Sequence, residues 1–175
     1  MTSQTITTAQ AVEVCDRMFT SIDTRDWDQF ERCFADDVVT DFTGLWGGKP
    51  EHATAHHLRD GWERLFAGFT ATQHLVANYV ADHAHTGTLV SAAFRATHFG
   101  VDPFGSASWT LYGRYRITLV HRDNGFVIQR LEQTPTAADG NRNIVLLALA
   151  AATASVAPAA VPGLERPAFS LLRST

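Results

Sequence analysis

Between residues 71 and 133 the sequence passes through four stretches of alternating apolar and polar residues: "ATQHLVANYVAD", "LVSAAFRATHFGV", "SASWTLYGRYRITLVHR" and "FVIQRLEQ". Three turn signals separate them, "HAHTGT", "DPFG" and "RDNG". A period of two is the signature of a strand with one face turned inward. In the last turn, Asn-Gly reaches positive φ at little cost, as a tight type I′ hairpin requires. Short turns between successive strands make an antiparallel meander. A meander with one apolar face must find something to cover it.

The cover lies upstream. Residues 8–23 repeat Ala11, Val12, Cys15, Phe19 and Ile22 at three- and four-residue steps, a helical stripe with Thr7 or Thr8 as N-cap. "RDWDQFERCF" reads as a second, short helix with Trp27, Phe30 and Phe34 on one face and Asp26 or Thr24 as its cap. "DDVVTDF" alternates as an early strand, and "GLWGGKP" reads as a glycine-rich loop. Residues 51–67 form a third helix with Leu58, Trp62, Leu65 and Phe66 inward. The fold class is therefore α+β: a curved antiparallel sheet wrapped as a cone around three N-terminal helices, with a pocket inside. An extra helix from about Asn143 to Ser155 could lid that pocket or pack on a partner. The domain is expected over 1–155, with an Ala/Pro-rich tail over 156–175.

Composition narrows the partners. Hydrophobic residues make up 45% and charged residues 18%, a globular balance. The net charge of −4, with Lys49 the only lysine, leaves no basic stripe for nucleic acid. The uncharged run from Ile144 to Leu164 is long enough to span a membrane, but it is mostly alanine and carries Pro158, Pro162 and Gly163, so no membrane partner is expected. "MTSQTITTAQ" has no apolar signal-peptide core, and Cys15 and Cys33 match no metal or redox spacing. A cytoplasmic chain with free thiols follows as the expectation. His83 and His85 at a turn have only Asp82 beside them, so no metal site is expected.

One acid is out of place. Asp23 ends the first helix, where the negative end of the dipole disfavours a carboxylate by a few tenths to ~1 kcal/mol. On the strands, alternation puts His74, Val76, Asn78 and Val80 on one face, Val90, Ala92, Phe94, Ala96 and His98 on another, and Phe126, Ile128 and Arg130 on a third. Each set is apolar except for His74, Asn78, His98 and Arg130. An apolar pocket with a few convergent polar groups suits a small molecule. Taken singly, each residue also has a structural reading: a satisfied core histidine, an arginine reaching solvent, an acid in a turn.

In "IDTRDWDQFERCFADDVV" the chain resembles the SnoaL-like branch of the nuclear-transport-factor-2-like superfamily. The resemblance covers about residues 8–150. At the site it is similar to scytalone dehydratase and hexachlorocyclohexane dehydrochlorinase, which use an Asp–His dyad. Asp23 and His74 stand at the matching places, His98 matches a second histidine of the former, and Arg130 an arginine of the latter. The resemblance implies that Asp23 orients His74 as a general base and that His98 or Arg130 steadies negative charge. Phe42, Trp46, Phe94, Phe126 and Ile128 would form apolar walls, with Asn78 as a polar anchor. Two departures stand out: Ile22 precedes Asp23 where the dehydratase has a tyrosine, and Met18 and Phe19 occupy the region of the dehydrochlorinase's lysine.

The expected function is a cofactor-free lyase or isomerase, dehydratase- or cyclase-like, acting on a small apolar, aromatic or polyketide-like metabolite. The alternatives are a non-catalytic ligand-binding or subunit-assembly module of the same fold and, at lower weight, an epoxide hydrolase using Arg130, Asn78 and Glu132. A homodimer or homotrimer is expected, with Leu111, Tyr115, Ile117 and Leu119 as the interface.

Overall fold

The computed structural model describes residues 6–84, 87–122 and 125–154. The chain folds as α1 (Thr8–Thr24), α2 (Trp27–Arg32), β1 (Phe34–Asp41), α3 (Thr43–Trp46), β2 (Glu51–Thr54), α4 (Ala55–Ala67), β3 (Ala71–Ala84), β4 (Gly87–Phe99), β5 (Ser108–Arg122), β6 (Gly125–Gly140) and α5 (Asn143–Ala154). One six-stranded sheet runs in the order β2-β1-β6-β5-β4-β3. Strands β3 to β6 form the antiparallel meander, and β1 joins its far edge parallel to β6. Helices α1, α2 and α4 fill the concave side.

Local chemistry sets the boundaries. Thr7 caps α1 in a capping box: its Oγ1 accepts from the Gln10 N–H at 3.2 Å, and its own N–H donates to Gln10 Oε1 at 2.9 Å. Such a cap contributes about 1 kcal/mol. Asp26 caps α2 through the Gln29 N–H at 2.9 Å. Val14 and Met18 join Ala11, Cys15, Phe19 and Ile22 on the buried face of α1, while Val12 is only half-buried. The expected helix over 51–67 is shorter, because Glu51–Thr54 pairs with β1 as β2 and Thr54 then caps α4 through the His57 N–H. The glycine-rich loop opens with the single turn of α3 before Gly47 and Gly48 take positive φ.

Within the meander three β-bulges bend the sheet, and each reverses the alternation beyond it. In β3, Ala77 pairs with Ala93 and Val80 with Ser91, so Asn78 and Tyr79 together face Ala92, with Asn78 at φ 55°. In β6, Thr118 and Leu119 of β5 pair with Arg130 and Ile128, leaving Gln129 extra. Further along, Tyr112 and Gly113 pair with Ala137 and Pro135, leaving Thr136 extra. At that last bend β6 folds closely over β5. A Cβ on Gly113 would lie 2.3 Å from the Thr134 carbonyl oxygen, so only glycine fits.

The inner face of β5 is core. Leu111, Tyr115, Ile117 and Leu119 are all 3% exposed or less within this one chain, which removes them as an interface between copies. Their apolar side is the side the helices need. Cys15 and Cys33 are free and buried, and burial pushes the Cys15 thiol up to about 12. Helix α5 seats Ile144, Val145 and Ala148 against the rest of the fold. Gly68 at the end of α4 allows this approach, since a Cβ there would come within 2.5 Å of the Ala148 backbone. No helix among the described residues is long and apolar enough to cross a membrane. The tail over 156–175 lies outside the described residues.

Candidate active site

The last turn of α1 meets the start of β3. Asp23 Oδ1 receives hydrogen bonds from His74 Nδ1 at 2.7 Å and from Thr72 Oγ1 at 2.9 Å. Its Oδ2 accepts the backbone N–H of His74 at 2.7 Å. Arg25, in the left-handed conformation at φ 62°, caps the helix. Its Nη1 donates to the Ile22 carbonyl at 2.5 Å and to Thr72 Oγ1 at 3.0 Å, and its guanidinium lies 5.3 Å from the centre of the Phe66 ring. A cation on the last carbonyls and three donors on the carboxylate offset the unfavourable dipole at Asp23. The acid is placed there to hold a histidine.

His74 is held on all sides but one. Its side chain is only 5% exposed, with Phe19 stacked at 5.6 Å and His98 edge-on at 5.9 Å between ring centres. Asp23 engages Nδ1, which leaves Nε2 as the second nitrogen of a ring that lines a cavity of about 380 Å³. His98, packed between Phe69 and Trp109, lines the same cavity. Burial, and then the neighbouring His74, drive the His98 imidazole down to about 3, so it is neutral near pH 7. Its Nδ1 is buried with no hydrogen-bond partner among the described residues. Aromatic rings form most of the remaining wall: Trp62 and Phe66 from α4, Trp109 from β5, and Phe42 and Phe69 from the connections after β1 and after α4. Trp46, Val145 and Leu149 bring α3 and α5 to its edge, so the C-terminal helix contributes to the cavity wall.

A profile described as the SnoaL-like domain matches residues 5–132 of this chain. The chain belongs to the SnoaL-like family. No curated protein matches it. Among solved structures, this SnoaL-like protein is similar to Kfla4162 of Kribbella flavida, at 20% identity over 79% of this chain and 95% of that one, with a TM-score of 0.75. It is also similar to a candidate scytalone dehydratase of Novosphingobium aromaticivorans DSM 12444, at 20% identity over 75% and 85% with a TM-score of 0.61. A type 2 hexachlorocyclohexane dehydrochlorinase shares 12% identity over 89% and 94%, with a TM-score of 0.63. At such identities the likeness is one of fold, the nuclear-transport-factor-2-like cone.

Of the residues expected at the SnoaL-like site, His74, His98, Phe42 and Trp46 line the cavity, and Asp23 stands directly behind His74. The other five do not line it. The bulge at Gln129 turns Arg130 outward, where it donates to Asp41 at 2.8 Å and sits 3.7 Å from Glu132. The bulge in β3 leaves Asn78 exposed and turns Tyr79 inward in its place. Phe94 supports the wall from behind, stacked on Tyr115 at 4.2 Å. Ile128 is core, and Phe126 packs edge-on against His121 near the β5–β6 turn. The sequence reading missed Tyr115 and Gln133, which line the cavity and bond to each other at 3.2 Å. Tyr115 carries a signal, its alternation with Leu111, Ile117 and Leu119, once the inner face of β5 is known. Gln133 carries none, because a bulge sets its direction.

Proposed function

We propose that this SnoaL-like protein is a lyase or isomerase in which His74 is the general base. The observation that carries this reading is the Asp23–His74 pair at 2.7 Å on the wall of an apolar cavity. A carboxylate on Nδ1 fixes the proton there, leaves Nε2 basic, and stabilises the imidazolium once a proton arrives. The neutral His98 beside it offers a hydrogen bond without a competing positive charge. The chemistry this suits begins with a C–H made acidic by an adjacent carbonyl. Nε2 takes the proton, and the C–H electron pair becomes a new double bond. In an elimination the leaving hydroxyl departs as water by taking that proton back from the imidazolium. In an isomerisation the imidazolium returns the proton to another carbon. The names of the dehydratase and dehydrochlorinase neighbours support the elimination branch.

Arg130 has no part in this reading, since its partners are Asp41 and Glu132. That same arginine between two acids is what an epoxide hydrolase would need, but none of the three lines the cavity. A panel of cyclic β-hydroxy ketones, followed by the absorbance of the enone formed, tests the proposal. Wild-type protein should dehydrate at least one member, and His74→Ala should not. Ligands that bind the wild-type cavity without any turnover across the panel would favour the binding-module reading instead.

A further inference from the structure

Tyr115 and Gln133 are cross-strand partners on β5 and β6, respectively 3% and 8% exposed, and both line the cavity. Gln133 Nε2 donates to the Tyr115 hydroxyl oxygen at 3.2 Å, while Gln133 Oε1 is buried with no partner among the described residues. In this arrangement the Tyr115 O–H proton remains to be donated and Gln133 Oε1 remains to accept. If the amide rotates, Tyr115 donates to Oε1. Gln133 Nε2 then remains to donate, and the tyrosine oxygen to accept. Either way the pair, on the cavity wall, keeps at least one unmet donor and one unmet acceptor. A hydroxyl on the ligand answers both. A carbonyl, an ether oxygen or a halogen can meet only the donor and leaves a buried acceptor unpaired.

We propose that Tyr115 and Gln133 form a subsite that selects a hydroxyl group on the ligand, so that the substrate class is a hydroxylated cyclic or aromatic molecule rather than a halogenated or purely carbonyl one. The assignment of a substrate rests on the proposed reaction at His74; recognition of the hydroxyl does not. Phe19 packs against both His74, at 5.6 Å, and Tyr115, at 4.8 Å. The subsite and the base thus rest on one shared aromatic ring behind the cavity wall. A single bound ring system can present a C–H to His74 and a hydroxyl to the pair. A pocket built to pair a hydroxyl rejects the analogue that lacks one far more strongly than an apolar pocket distinguishes shapes.

Three naphthalenes test this by fluorescence titration: 2-naphthol, 2-methoxynaphthalene and 2-chloronaphthalene. Wild-type protein should bind 2-naphthol tighter than the other two by about tenfold or more. Equal affinities overturn the proposal without the need for any variant. In Gln133→Met, and more mildly in the near-isosteric Tyr115→Phe, the preference should fall toward parity while affinity for 2-chloronaphthalene holds. A preference unchanged in both variants overturns the subsite. His74→Ala should keep the preference intact. If the preference is lost there instead, the hydroxyl is held at His74 and the subsite is wrong. Turnover surviving in His74→Ala would sink the general base while leaving the subsite standing, so the two failures read differently.

Discussion

Two carboxylates in this protein hold a basic side chain at almost the same distance, and only one pair faces the cavity. Asp23 holds His74 at 2.7 Å, and Asp41 holds Arg130 at 2.8 Å. The His74 side chain is 5% exposed and the Arg130 side chain 36%. Both acids are well supplied with donors: Asp23 by Thr72 and the His74 backbone, Asp41 by the hydroxyl and N–H of Thr43. Thr43, ahead of Arg130, holds the Asp41 carboxyl below its usual range. What separates the pairs is strand position. His74 precedes the bulge in β3 and keeps the inward direction of its strand. Arg130 follows the bulge at Gln129 and loses it. Hydrogen-bond geometry is shared; access to an apolar cavity is not, and access is what makes an acid–base pair useful for chemistry.

Disrupting the inner pair should give the largest effect. On any substrate the protein turns over, His74→Ala should lower kcat by about 10²–10⁴-fold. Asp23→Asn should fall in the same range, because an amide stabilises the imidazolium poorly and does not fix the tautomer. The control is Arg130→Gln, whose kcat should stay within about twofold of wild type, as a side chain that touches no reacting atom implies. Steady-state rates of the three variants decide the matter. A collapse in Arg130→Gln equal to that in His74→Ala would place the chemistry in the wrong pair.

The same contrast shows what the sequence could carry. The caps of α1 and α2, the meander, and the places of Asp23, His74 and His98 were legible because they depend on local chemistry or on alternation in stretches without a bulge. Strand β4 has no register break within its pairing to β5, and its inward set from Val90 to His98 stands as read. Asn78, Arg130 and Gln133 were misplaced or missed because each lies at or beyond a bulge, where one extra residue exchanges the two faces. The position of a bulge is set by how the closing sheet must bend around its helices, which is a property of the whole cone. Strand β2 was missed for a related reason: four residues pair with β1 immediately before the helix cap, too short to show a period of their own.

The bends themselves can be tested. Gly113→Ala drives a methyl group into the Thr134 carbonyl and the Phe94 ring. The variant should be destabilised by about 1–3 kcal/mol, read as a lower urea midpoint with an unchanged slope. Phe94 stacks on Tyr115, so the hydroxyl preference of the cavity should weaken in the same variant. An unchanged midpoint would mean that β6 lies further from β5 at this point.

A smaller effect separates the two pairs by pH. The His98 imidazole, beside His74, falls from 6.5 to about 3 on folding, chiefly through burial. The unfolded chain therefore binds a proton that the folded chain refuses between these values. Stability from this group is fully present above pH 6.5 and is lost as the pH falls toward 3. In His98→Gln that part of the acid loss should vanish, so urea midpoints at about pH 7.5 and about pH 4.5 should differ less than in wild type. An equal difference in both proteins would show that His98 is hydrated and titrates normally.

The smallest effect should come from the outer pair. Arg130 and Asp41 are solvent-reached, and such pairs are worth about 0–1 kcal/mol, less as salt rises. Arg130→Met keeps most of the stem that covers β6 and removes only the charge. Its urea midpoint should match that of wild type within that range, and the gap should close further in about 1 M salt. The outward direction of Arg130 makes this outcome necessary: a guanidinium that had been turned into the apolar cavity would leave Asp41 unpaired and the cavity without its charge on removal, shifting both stability and ligand affinity well beyond a surface pair. A salt-insensitive loss in Arg130→Met, accompanied by a change in 2-naphthol affinity, would therefore return Arg130 to the cavity and with it the symmetry between the two pairs.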